Sequence, residues 1–189
     1  MLCTVATGCA YSSQTVMTLF LHWFTINVSE GCWIDAQAYA GNNFAEAKYS
    51  YLKLNGVTVW QASWIGDYPN DRGANMFIID RATCTVLETR NYNTYGDATA
   101  GNRLRGFIQG LSDGTILVGV SCDEASIYLD AADATLTALG ADVSDVGYRG
   151  AWTFLAEIGR PSKTVLDKEL TEEAARARQP ILSTSLWGM

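Results

Sequence analysis

The sequence predicts a mixed α/β fold of the α+β kind, with two helices covering a mixed sheet, and three observations carry that prediction. Apolar runs with strand character recur along the chain. Two of them, residues 74–80 (ANMFIID) and 115–120 (TILVGV), are continuous enough to be buried on both faces. Two other segments switch to helical spacing: Leu104, Phe107, Ile108 and Leu111 follow i, i+3, i+4, i+7, and Ala125, Leu129, Ala132, Leu136 and Leu139 step by 4, 3, 4 and 3. Hydrophobic residues make up 48% of the 189 and charged residues 17%, ample apolar surface for a core and a composition that argues against disorder.

Taken in order, residues 1–45 read as short strands and loops, with 16–26 (VMTLFLHWFTI) the most apolar of them. That run lacks basic residues before it and a small-residue cleavage site, and it is too short to span a bilayer, so it reads as a buried strand rather than a leader. A secretory signal, where one exists, is expected upstream of this numbering. Residues 48–54 and 57–60 are strands joined by Asn55-Gly56, a pair suited to a type I′ hairpin because both residues tolerate positive φ. Residues 64–73 are dense in turn formers, 74–80 form a strand, Arg81 and Ala82 turn, and 84–91 form a weaker strand. The first helix precedes the turn Ser112-Asp113-Gly114 and the strand 115–120. The second helix takes Asp123 as N-cap and Gly140 as C′ residue. Residues 151–155 (AWTFL) are a last core strand, 171–178 a short charged helix ending before Pro180, and the tail 181–189 packs through Leu186 and Trp187 or meets a partner. The divisions expected are a β-rich extension over 1–44, a domain over 45–160 and a helical or extended tail over 161–189.

Thirteen basic against 20 acidic residues give a net charge of −7 with no basic cluster, which argues against binding of nucleic acid or anionic membrane. The five cysteines, Cys3, Cys9, Cys32, Cys84 and Cys122, form no CxxC pair, and His22 is the single histidine, so no metal site is expected. Two disulfides with one spare thiol suit an oxidising compartment; five buried thiols suit a reducing one. The sequon Asn27-Val28-Ser29 makes Asn27 a glycosylation candidate on a secretory route. Catalysis is not expected. A nucleophile–His pair would have to use His22 within an apolar strand, the motifs GxSxG, GxxxxGKS and GxGxxG are missing, and Asp123 and Glu124 are adjacent and so cannot flank a glycosidic bond. No cofactor is expected either.

Five short motifs occur in order. They are Arg72-Gly73-Ala74-Asn75 before an apolar run, residues 88–95 (ETRNYNTY), 114–118 (GTILV), 123–126 (DEAS), and Leu139-Gly140 with 147–154 (GYRGAWTF). Together, over roughly residues 45–160, they resemble the interleukin-like EMT inducer (ILEI) domain. The resemblance implies a compact two-sheet β-sandwich with helices packed on it. It also implies a role like those of such domains, cytokine-like secreted factors and the lectin stem of the protein O-linked mannose N-acetylglucosaminyltransferase, which binds β-linked N-acetylglucosamine. The chain departs from the family pattern at Gly150, where an acidic residue is usual, at Asn93, where Asp is usual, and at Cys84 and Cys122, two strand positions not usually cysteine. The last departure suggests a disulfide between neighbouring strands.

On this reading the ligand-binding candidates are Asp123, Arg149, Ser126 and Tyr148. A carboxylate accepting from vicinal hydroxyls and a planar guanidinium donor are what a sugar ring and its acetamido group require. The alternative is structural, with Asp123 capping the helix and pairing with Arg149. Trp152 and Tyr148 could face a sugar, although Trp152 falls in a core strand, and Trp60, Trp64 and Tyr68 could form an aromatic platform. The expected function is therefore non-catalytic recognition in a secreted, cell-surface or lumenal setting, with a glycan or glycoprotein as partner. The other readings are an interaction subunit of a larger protein assembly and a cytokine-like secreted factor.

Overall fold

The computed structural model describes residues 31–39, 49–62, 64–65, 68–69, 71–169 and 174–181. The readings of 16–26, Cys3, Cys9, His22, Asn27, Leu186 and Trp187 lie outside them. The fold is α+β: a mixed sheet with two helices packed on it.

The central strands are β6 (Gly73–Asp80), β8 (Ile116–Cys122) and β9 (Ala151–Glu157), with β8 antiparallel to both of the others. Outside them, β7 (Thr85–Tyr92) pairs with β6 and β10 (Val165–Glu169) with β9, both antiparallel. A second group runs β3 (Val57–Gln61), β2 (Tyr51–Leu54), β1 (Cys32–Tyr39) and β11 (Ala174–Ile181), all antiparallel. The groups join into one nine-stranded sheet through a single parallel pair, Tyr39 with Cys122. Buried Ser50 stitches that joint: its hydroxyl accepts the Tyr39 N–H at 2.9 Å and donates to the Ser121 carbonyl at 2.9 Å. β4 (Trp64–Ile65) and β5 (Tyr68–Pro69) make a separate two-stranded sheet within the stretch expected to be loop.

Side-chain alternation explains why β6, β8 and β9 read as continuously apolar. Ala74, Met76, Leu117, Trp152, Phe154 and Ala156 point to one core, shared with the helices; Phe77, Ile79, Ile116, Val118, Val120 and Leu155 point to another, shared with β1 and β2. Both faces are covered, so apolar residues predominate on both, and the buried Asn75, Ser121 and Thr153 are each hydrogen-bonded. Gly119 belongs to the first face: a Cβ there would lie 2.3 Å from the Phe154 ring, so only glycine admits the stacked Trp152–Phe154 pair at this point.

The helices are α1 (Ala100–Gln109) and α2 (Asp130–Ala138). α1 buries Leu104 and Ile108 as the spacing predicts. α2 departs from expectation at its start. Ala125 and Leu129 are buried with Ala132 and Leu136, but the helix begins at Asp130, so Asp123 is not its N-cap. The preceding N–H groups are taken elsewhere: Ser126 donates to the Glu124 side chain and Tyr128 to the Thr94 carbonyl. At the other end Gly140 takes φ 84° and the Ala141 N–H returns to the Leu136 carbonyl, as a C′ glycine allows. The Asn55-Gly56 turn has φ 50° and 80°, as type I′ requires.

Two further expectations are corrected. Residues 174–181 form a strand, not a helix: they complete the edge of β1 that β2 leaves open, and ladder formation there overrides the helical propensity of a short charged run. Cys84 is bonded to Cys32, with Cα atoms 5.1 Å apart, and not to Cys122. The register shows why. Gly73 lies opposite Cys122 while Cys84 follows the far end of β6, about 23 Å away at strand rise. Cys122 is a buried free thiol, and burial pushes its pKa up to about 12.

Candidate functional site

Four of the five motifs meet at one end of the central strands, where β6 begins and β7 and β8 end. The fifth, GTILV, leads into β8 from the opposite end and supplies core residues instead.

The meeting point is knitted by backbone groups as much as by side chains. Gly73, at φ 99°, lets Tyr92 and Thr94 approach so closely that a Cβ would lie 2.2 Å from the Tyr92 carbonyl oxygen. Thr94, fully buried, donates its hydroxyl to the Ala125 carbonyl at 2.9 Å. Asn75, the buried last residue of RGAN, donates to the Asp71 carbonyl at 2.8 Å and accepts from Asn91 at 2.9 Å. The NYNTY segment is thereby bound to both RGAN and DEAS.

Asp123 and Arg149 each adopt a left-handed backbone, φ 59° and 60°, which residues with a Cβ rarely take. Such strain persists only where surroundings over-determine it. Here the determinant is Glu124, a carboxylate that is 2% exposed. One oxygen accepts the Ser126 N–H at 2.5 Å and its hydroxyl at 2.7 Å, and the other accepts the Arg149 N–H. Glu124 therefore fixes the DEAS loop and the GYRG loop to each other. The sequence signal that points to Glu124 is an acidic residue two before a serine, the spacing at which a carboxylate can take the serine's N–H and hydroxyl together.

The carboxylate of Asp123 is nearly buried and pairs with the guanidinium of Arg72 at 2.5 Å, while Arg72 also lies 4.5 Å over the Tyr95 ring. The ion-pair partner that the structure gives Asp123 is thus the arginine of RGAN. Arg149 is half-buried and lies over the Tyr148 ring at 5.3 Å, placed beside this cluster by the bond from its own N–H to Glu124. Tyr95 lies against the Arg72 guanidinium and Tyr148 against that of Arg149, and the two rings are exposed by 39% and 58%. Trp152 is fully buried and Trp60 packs on Phe77, so neither faces a ligand as a free aromatic platform. Among the described residues no group of three His, Cys, Asp or Glu side chains could hold a metal, and no helix is long and apolar enough to cross a membrane.

The model of the family described as "Interleukin-like EMT inducer" matches residues 72–160. This segment is an ILEI domain. It opens at the Arg72 that binds Asp123 and closes just after β9, so the whole rim just described lies within it. The cell migration-inducing and hyaluronan-binding protein of Homo sapiens is 34% identical over 98 residues, 51% of this chain. Its Mus musculus counterpart is 33% identical over 98 residues, also 51% of this chain. This chain spans 7% of the length of either relative, so the likeness concerns the ILEI region alone.

Proposed function

We propose that this chain is a non-catalytic, extracellular recognition domain that binds carbohydrate at the rim of its ILEI domain, through Tyr148, Arg149 and Ser126, with Asp123 holding Arg72 and Tyr95 in place. One observation carries the reading: two exposed tyrosines, Tyr95 and Tyr148, each lie against a guanidinium group, on loops that buried Glu124 ties together. Aromatic faces beside planar hydrogen-bond donors match the apolar face and ring hydroxyls of a pyranose. Rigid loops reduce the ordering cost of binding. The relatives' name, hyaluronan-binding, is consistent with a glycan as ligand, and the Cys32–Cys84 disulfide with a secretory route. We also read the two strand groups as the two layers of a sandwich, since residues of β1 and β2 share a core with β6, β8 and β9.

The test is a glycan array followed by titration calorimetry on the best binders. Tyr148→Ala and Arg149→Gln are expected to weaken binding about tenfold or more each, the scale of one hydrogen bond to a charged group. Both change exposed or half-exposed side chains, and unchanged thermal unfolding separates lost binding from lost folding. Binding to no glycan by the wild type, or wild-type affinity in both variants, defeats the proposal.

A second reading, contact with another protein as a subunit or cytokine-like factor, has its own support. Val57 and Val59 on β3 and Leu87 on β7 are exposed apolar residues on strands that have one edge without a partner strand among the described residues. Light scattering across concentrations tests self-association: a mass that stays monomeric, with Leu87→Lys behaving as the wild type, removes a second copy as the partner.

A further inference from the structure

A depression of about 600 Å³ lies between β7 and α1, lined by Arg90, Asn91, Tyr92, Arg103, Gly106 and Phe107. The rim described above does not use the side chains of Arg90, Tyr92 or Arg103. Strand alternation puts Glu88, Arg90 and Tyr92 on one face of β7, and helical spacing puts Arg103, Gly106 and Phe107 on one side of α1. Phe107 anchors the two together: its ring is 6.0 Å from that of Tyr92 and 4.7 Å from the Arg90 guanidinium. Above Gly106 a Cβ would meet nothing within 4 Å, so the space beside the helix is open.

The chemistry of this depression is unbalanced toward donors. Tyr92 is 4% exposed; the Arg90 side chain donates toward its hydroxyl, but the hydroxyl's own proton finds no acceptor among the described residues. A buried hydroxyl whose proton has no acceptor costs free energy, so its presence here needs a reason. Burial raises the Tyr92 pKa, with Arg90 beside it opposing the rise, so the phenol keeps its proton and remains a donor at neutral pH. Arg90 and Arg103 are about half-exposed and each binds one carboxylate, Glu88 and Asp97 respectively, in surface pairs that contribute little. A guanidinium has five N–H donors, so one carboxylate leaves donors on each for a ligand. What this arrangement lacks is an acceptor.

We propose that the Arg90–Tyr92–Arg103 depression is a second binding site, for the carboxylate of an acidic sugar. The carboxylate accepts from the Tyr92 hydroxyl and from the forks of Arg90 and Arg103, and the sugar ring lies along Phe107 in the space that Gly106 leaves open. Glu88 competes for Arg90, so it tunes the affinity downward. Asn91 donates to the Arg72 carbonyl at 3.1 Å, which ties this depression to the residue that holds the rim. The choice of a sugar as carrier rests on the carbohydrate reading above; the carboxylate itself does not.

The experiment uses the full chain with glucuronate as probe, followed by NMR of the arginine Nε–H groups, and a neutral N-acetylglucosamine oligosaccharide as the control ligand. Glucuronate is expected to shift Arg90 and Arg103, and glucose is not. Tyr92→Phe and Arg103→Gln are each expected to weaken glucuronate about tenfold, the loss of one charge-assisted hydrogen bond. Glu88→Gln is expected to tighten it. Tyr92→Phe keeps the ring in the core and gives up only the contact of its hydroxyl with exposed Arg90, and unchanged thermal unfolding checks that it folds as the wild type. No shift with glucuronate, an equal shift with glucose, or unchanged affinity in both weakening variants overturns the proposal. If the neutral oligosaccharide fails to bind the wild type while glucuronate binds, the rim reading falls and the second site stands. If the oligosaccharide binds and is lost in Tyr148→Ala while glucuronate does nothing, the second site falls and the rim stands.

Discussion

Removing the Cys32–Cys84 disulfide is the perturbation whose size follows most directly from the topology. The bond joins the first residue of β1 to the turn between β6 and β7 and closes a loop with a sequence separation of 52. In the chain-entropy account a loop of that length lowers the stability of the unfolded state relative to the folded one by about 4 kcal/mol. For a unit of this size that corresponds to roughly 8–16 °C in melting temperature. Cys84 has φ 53°, a left-handed backbone that costs a residue with a Cβ about 1–2 kcal/mol. Cys32→Ala with Cys84→Gly should therefore lose less stability than Cys32→Ala with Cys84→Ala. Scanning calorimetry of the oxidised wild type and both double variants measures all three terms. A fall of less than about 3 °C in the Ala/Ala variant, under about 1 kcal/mol on the same scale, would refute the loop-closure reasoning. Equal melting of the two variants would refute the contribution assigned to the Cys84 backbone.

Two further outcomes follow from buried groups. Gly119→Ala places a methyl against Phe154 and should cost about 1–3 kcal/mol in urea unfolding, with Phe154→Leu in the same chain recovering part of it; an unchanged midpoint would show that the ring can move aside. Cys122, with its pKa raised from an ordinary 9.0 to about 12, keeps its proton when folded. Its thiol should resist alkylation at pH 8 until the protein unfolds. Because the unfolded thiol loses its proton first, stability should be fully present below pH 9 and decline between pH 9 and about 12. Rapid alkylation of the native protein at Cys122, located by peptide mapping, would contradict the burial.

The candidate site was legible as a set of motifs but not as a set of contacts. The resemblance to the ILEI domain singled out RGAN, ETRNYNTY, DEAS and GYRG, and the structure gathers all four. Which carboxylate meets which arginine was not legible. Asp123 takes Arg72, 51 positions away, because Gly73 and Cys122 are cross-strand partners and bring the residues flanking them together. Glu124 is a parallel case, since its partner is the backbone of Arg149, a group with no side-chain signature. The depression at Tyr92 escaped sequence reading for the same reason: it needs a strand face and a helix side laid together, and each alone looks like ordinary amphipathic patterning.

By itself the sequence determined the local periods: continuous apolar runs for strands covered on both faces, a 3.6-residue stripe for α1, and positive φ at Asn55, Gly56 and Gly140. Those features depend on interactions within a few residues, where side-chain type decides. Tertiary structure alone decided the disulfide partner of Cys84, the strand identity of residues 174–181 and the late start of α2. Each depends on an unsatisfied edge, thiol or carboxylate finding its complement far along the chain, and such pairings are set by sheet register rather than by local propensity.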